Sequence, residues 1–151
     1  MIYHDAALSF LHFVFAFLVV GTLTAEAFVL RLPVDGRVAR LLLRIDAFYG
    51  ASAVGVILAG AARVAWGAKE AAFYLESPLF WAKMAAFAAV WLISVGPTRA
   101  FMRWVKAAGA DSAFAIDEAD AKRVRRAVML EVHLLVLVPL FAVLMARGVW
   151  M

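Results

Sequence analysis

The stretch AALSFLHFVFAFLVVGTLTAEAFVL, from Ala6 to Leu30, decides the fold class. Its only interruptions are Ser9, His12, Thr22, Thr24 and Glu26, and about 20 such residues suffice to cross the hydrocarbon core of a bilayer. No basic segment precedes it, and it outruns the roughly 7–15 apolar residues of a secretory signal. It therefore reads as a retained first transmembrane helix, over about 6–30.

Three more runs follow. The second, about 44–66, is rich in small residues (Gly50, Ala51, Ser52, Ala53, Gly55, Ala59, Gly60), which let helices approach closely in lipid. The third, about 79–107, opens after Pro78 and meets Gly96-Pro97, which predicts a kink there. Asp111 to Ile116 reads as a turn. Asp117 can cap a fourth helix, about 117–147, that starts highly charged and becomes apolar from Ala127 to Ala146. The runs are too long and too little alternating for barrel strands. The expectation is an all-α, integral membrane four-helix bundle, one domain over residues 1–151.

Composition agrees. Hydrophobic residues make up 67% of the chain, against about 45–50% in soluble domains. The absence of cysteine excludes disulfides, thiolate catalysis, iron–sulfur clusters and Cys-ligated zinc. The net charge of +4 is a matter of placement. Arg31, Arg37, Arg40 and Arg44 follow the first helix. Arg99, Arg103, Lys106, Lys122, Arg123, Arg125 and Arg126 flank the third connection. By the positive-inside rule both loops face the cytoplasm, which puts both termini on the outer, periplasmic side of a bacterial inner membrane. The basic surplus is topogenic, and nucleic acid is not expected as a partner. No phosphate loop, paired metal-spaced histidines or nucleophile elbow occurs.

Ionisable groups at membrane depth are functional hypotheses by default. They are His12, Glu26, Asp46, Lys83, Glu131 and His133, with Arg63 near an end and His4 before the membrane. His12 and Glu26, 14 residues apart, share one helix face with Asp5 and Val19. Glu131 and His133 point to nearly opposite sides, so at most one of them faces a given site squarely. At about 1.5 Å per residue, His12 and Lys83 lie at one depth near the outer surface, whereas Glu26, Asp46, Glu131 and His133 form a second group near the cytoplasmic ends. A bis-His haem between His12 and His133 is disfavoured by that offset. His12 reads either as a ligand or as a helix–helix hydrogen-bonding group, and Lys83 either as functional or as a snorkelling cation. Arg31, Arg44 and Arg126 lie near Glu26, Asp46 and Glu131 in sequence, which predicts ordinary ion pairing.

Leu11-His12-Phe13, Arg44-Ile45-Asp46-Ala47-Phe48-Tyr49-Gly50 and Trp81-Ala82-Lys83 together resemble the HemJ-type protoporphyrinogen IX oxidases, in the neighbourhood of the CopD-like membrane proteins. As a whole, the chain is similar to a bacterial family of predicted membrane proteins without an assigned function. The HemJ resemblance implies haem b as cofactor, His12 as its iron ligand, and Lys83 as a catalytic residue that binds a propionate or an anionic substrate. It also implies a porphyrin, a quinone or a haem protein as redox partner.

Three functional expectations follow. The first is a haem-dependent membrane oxidoreductase. The second is a transport or ion-handling protein using Glu26, Asp46, Glu131 and His133. The third is an accessory subunit, or a homo-oligomer, that packs through its small-residue second helix.

Overall fold

A computed structural model describes residues 2–110 and 114–149. It contains α1 (Ile2–Val29), α2 (Gly36–Trp66), α3 (Ala71–Leu75), α4 (Pro78–Ala110), α5 (Glu118–Leu135) and α6 (Leu137–Ala146), with no β-strand among the described residues. Four segments are long and apolar enough to cross a membrane: α1, α2, α4, and α5 continued by α6. Backbone groups in hydrocarbon must be satisfied within the segment, which helices achieve. Phe17, Phe48, Leu58, Leu92 and Leu140 are exposed around the outside, an arrangement suited to lipid rather than water.

The spans close into a ring, α1 against α2, α2 against α4, α4 against α5 and α6, and α5 against α1. Each buries a narrow seam spaced alternately three and four residues, the pattern of coiled-coil packing. On α2 the seam is Ala39, Leu42, Asp46, Tyr49 and Ala53, and on α4 it is Val90, Ser94, Pro97, Phe101 and Trp104. On α1 it is Val19, Leu23 and Glu26, continued by Leu30 just past its end, and on α5 Val124, Val128, Glu131 and Leu135.

Contacts between spans fix the antiparallel registers. Between α1 and α2, Asp5 accepts from Ala68 N at 3.0 Å and the Nδ1 of His12 lies 3.2 Å from the Val56 carbonyl. Phe15 packs over Gly55. Between α2 and α4, Thr98 donates to Asp46 at 2.8 Å. Between α4 and α5, the Trp104 indole donates to Asp120 at 3.0 Å, and Arg103 pairs with the same oxygen at 3.2 Å.

Several boundaries differ from the sequence reading. The second helix begins at Gly36, not near residue 44, because Asp35 caps it, accepting from Arg37 N at 2.9 Å and Val38 N at 2.8 Å. The bond from Val38 holds this carboxyl below the usual aspartate range. The cap therefore contributes fully above that range and weakens as pH falls through the lowered value. Arg37, Arg40 and Arg44 lie on the exposed side of these turns, so basic residues that read as a loop belong to the helix.

The third span runs unbroken through Pro97, whereas the fourth, read as continuous, is interrupted at Val136. Pro139 explains the break: it offers no N–H to the Leu135 carbonyl. The short α3 was not foreseen. Of the turn expected over 111–116, residues 111–113 lie outside the described residues; beyond them, Ile116 N donates to Val34 O at 3.1 Å.

A Cβ on Gly55 would stand 2.5–2.7 Å from the Phe15 ring. Gly55→Leu should destabilise the bundle by about 1–3 kcal/mol, the usual cost of overpacking. Gly50→Ala, where a Cβ meets nothing within 4 Å, should be tolerated. Unfolding of the two variants in mixed micelles checks the contrast.

Candidate functional site

Each seam carries a polar residue in its inner turns, among them Glu26 on α1, Asp46 on α2, Ser94 on α4 and Glu131 on α5. The registers bring them to one level. The pairing of Phe15 with Gly55 and of Asp5 with Ala68 sets Glu26 opposite the turn of α2 that holds Asp46. The Thr98–Asp46 bond places α4 there, and the pairing of Trp104 with Asp120 brings Ser94 opposite the Glu131 turn. Glu26 is 1% exposed, Glu131 0% and Asp46 7%, and the charge of Asp46 acts on both Glu26 and Glu131.

Hydrogen bonding in this layer is incomplete. Asp46 has the Thr98 hydroxyl. One oxygen of Glu26 and both oxygens of Glu131 are buried without a protein partner among the described residues. Tyr49, itself buried, lies within range of all three carboxyl groups and beside Ser94, whose hydroxyl donates to the Trp91 carbonyl at 2.7 Å.

Ion pairing of the three acids is corrected by the structure. Among the described residues the one ion pair within 4.0 Å is Arg103–Asp120, at the surface of the α4–α5 contact. Arg31, Arg44 and Arg126 do not reach the layer, because Glu26, Asp46 and Glu131 turn inward while the nearby arginines lie off the buried seams. An uncompensated buried carboxylate is costly, so such a layer is neutralised by bound protons or by a cation. No set of three or more His, Asp or Glu side chains among the described residues has the geometry of a metal site.

The sequence-predicted residues fall into three places. Glu26, Asp46 and Glu131 come together. His133 does not join them, because it is exposed and its Nδ1 donates to the Met129 carbonyl of its own helix. His12 and Lys83 lie in the other half of the bundle. His12 donates from Nδ1 to the Val56 carbonyl, and the ammonium of Lys83 sits 5.1 Å from the Phe80 ring centre. The face carrying Asp5, His12, Val19 and Glu26 does turn toward α2.

Tyr49, Ser94 and Thr98 were missed. The signal was present: Tyr49 and Ser94 continue the three-and-four spacing of Leu42–Asp46 and of Val90–Pro97, and a seam count would have put them in the core.

As a haem site, the His12 region offers one suitable atom. A carbonyl only accepts, so Nδ1 carries the proton and Nε2 keeps its lone pair. A second axial histidine is lacking among the described residues, since His4 and His133 are both exposed. On the α2 side the ring lies flush with the backbone, a Cβ on Gly60 standing 3.3 Å from it.

Residues 4–150 match the family described as Predicted membrane protein (DUF2214). The chain belongs to that family. No curated protein and no solved structure matches it. The family and the four apolar helices together make this a multi-pass membrane protein. These comparisons do not show the resemblance to HemJ-type oxidases and CopD-like proteins.

Because both Glu131 oxygens are unpartnered among the described residues, Glu131→Met should raise thermal stability in detergent by relieving an unmet polar group. Thr98→Val leaves Asp46 without its donor and should cost about 1–3 kcal/mol. Opposite signs for the two changes are the expected result.

Proposed function

We propose that the protein handles ions within the membrane, with the Glu26–Asp46–Glu131 layer as its charge-carrying site and protons as its cargo. The observation that carries this reading is the burial of three carboxyl groups, from three helices, with no cation within ion-pair distance among the described residues. A soluble core would not hold such a group without a partner, and in a membrane interior buried acids mark ion and proton paths. A proton arriving at one carboxyl can pass to the next, and the hydroxyls of Tyr49, Ser94 and Thr98 supply donors and acceptors between helices. A cavity of about 460 Å³ at the end carrying the α1–α2 connection, lined in part by Leu30, Arg31, Asp35, Lys122 and Arg125, lies one helical turn from Glu26 and offers an aqueous approach. In this reading that end faces the cytoplasm of a bacterial inner membrane, following its arginines and lysines.

The test is flux. Protein reconstituted into vesicles under a potassium diffusion potential should acidify or alkalinise the lumen faster than protein-free vesicles, read by a trapped pH dye. Glu131→Gln and Glu26→Gln should return the rate to the leak. Flux equal to the leak in wild type, or unchanged in both variants, contradicts the proposal.

A second reading, haem-dependent redox chemistry at His12, rests on the free Nε2 of that ring. Haem would bring electron transfer, with Lys83 as the cation for a propionate. It requires reduced-minus-oxidised absorption bands in purified protein that His12→Ala removes; their absence after haem supplementation ends it.

A further inference from the structure

The half of the bundle away from the carboxylate layer has the opposite character. The stripe Val56, Gly60 and Arg63 on α2, spaced by four and three residues, faces α1: Val56 takes the His12 hydrogen bond and Gly60 abuts the His12 ring. Arg63 continues that stripe by one turn. Its Nε is buried and has no hydrogen-bond partner among the described residues. The register that sets Thr98 beside Asp46 brings Lys83 of α4 opposite the turn of α2 around Ala61, next to Arg63. Depth agrees: Arg63 is three residues from the end of α2 and Lys83 five from the start of α4, about 4.5 and 7.5 Å from the same end of the bundle. The charges of Arg63 and Lys83 both act on His12, and that of Arg63 acts on Lys83.

Two cations and a histidine from three helices thus converge with no acid in ion-pair contact among the described residues. Asp5, the nearest acid along the α1 face, is held by Ala68 N at 3.0 Å, and none of the three basic groups has a carboxylate within 4.0 Å among the described residues. Arg63 and Lys83 are both partly buried, so their like charges are only partly screened by solvent.

We infer that Arg63 and Lys83, beside the His12 ring, form a binding site for an oxyanion, a carboxylate or a phosphate, in the half of the bundle opposite the carboxylate layer. A guanidinium presents planar paired donors that match such an anion, and an ammonium beside it adds a point charge. The anion would supply the partner that Arg63 Nε lacks and relieve the repulsion between Arg63 and Lys83. The site is independent of the ion-handling proposal, because none of its residues belongs to the carboxylate layer.

The experiment is thermal unfolding of the protein in an uncharged maltoside detergent at constant ionic strength. Inorganic phosphate and acetate serve as free probes, and mixed micelles with phosphatidylglycerol or phosphatidylcholine as lipid probes. The inference predicts a saturable rise in unfolding temperature with a free oxyanion or with phosphatidylglycerol, and none with phosphatidylcholine. A response to phosphatidylglycerol alone assigns the anion to a lipid headgroup, and a response to phosphate or acetate to a free ligand.

Arg63→Gln and Lys83→Met should each weaken the effect ~10-fold or more, while without anion they unfold no earlier than wild type. Lys69→Gln, which alters an exposed lysine lying 3.5 Å from the Phe73 ring centre, should keep the effect. Glu131→Gln should also keep it, which separates this site from the flux test. No stabilisation by any of the anionic probes, or stabilisation undiminished in both Arg63→Gln and Lys83→Met, overturns the inference.

Discussion

A carboxyl group carried into a bilayer has to be shut inside protein, and in this chain three helices each carry one. Glu26, Asp46 and Glu131 occupy seam positions of α1, α2 and α5, where Leu or Val would pack as well. Once each must be kept from lipid, the rotation of every span about its own axis is nearly determined. The seams then face inward together, and the remaining faces are free to be apolar, as Phe17, Phe48, Leu92 and Leu140 are. Between lipid and protein there is little hydrophobic preference to orient a helix, so polar groups and close packing carry that burden.

Close packing does the rest along α1 and α2. Gly55 admits the Phe15 ring, and Gly60 admits His12. Those contacts hold the register that aligns Glu26 with Asp46. The consequence is a separation of buried groups along the bundle, with the three buried carboxyls in one half and the Arg63–Lys83–His12 group in the other. The two halves differ in chemistry while sharing the same four helices.

Much of this was legible in the chain. Apolar run length gave four spans, and the 14-residue spacing of His12 and Glu26 gave the inward face of α1. The two-residue spacing of Glu131 and His133 required that they part, as they do. Ion pairing misled, because nearness in sequence to Arg31, Arg44 and Arg126 says nothing about which way a carboxylate turns. The start of α2 was hidden by its arginines, which looked like a loop until Asp35 was seen to cap the helix. Proline position was also ambiguous, since Pro97 sits in an unbroken helix and Pro139 follows a break. Tyr49 and Ser94 were open to a seam count, whereas Thr98 needed inter-helix register, which one sequence does not state.

The central claim is that Glu26 and Glu131 meet across the α1–α5 contact while His133 looks away. The chain has no cysteine, so pairs can be introduced on a clean background. The decisive measurement is cross-linking in native membranes by a short bis-maleimide of Glu26→Cys/Glu131→Cys against Glu26→Cys/His133→Cys. The account predicts efficient intramolecular linkage of the first pair and little of the second. Equal linkage of both, or linkage of the second alone, would contradict it.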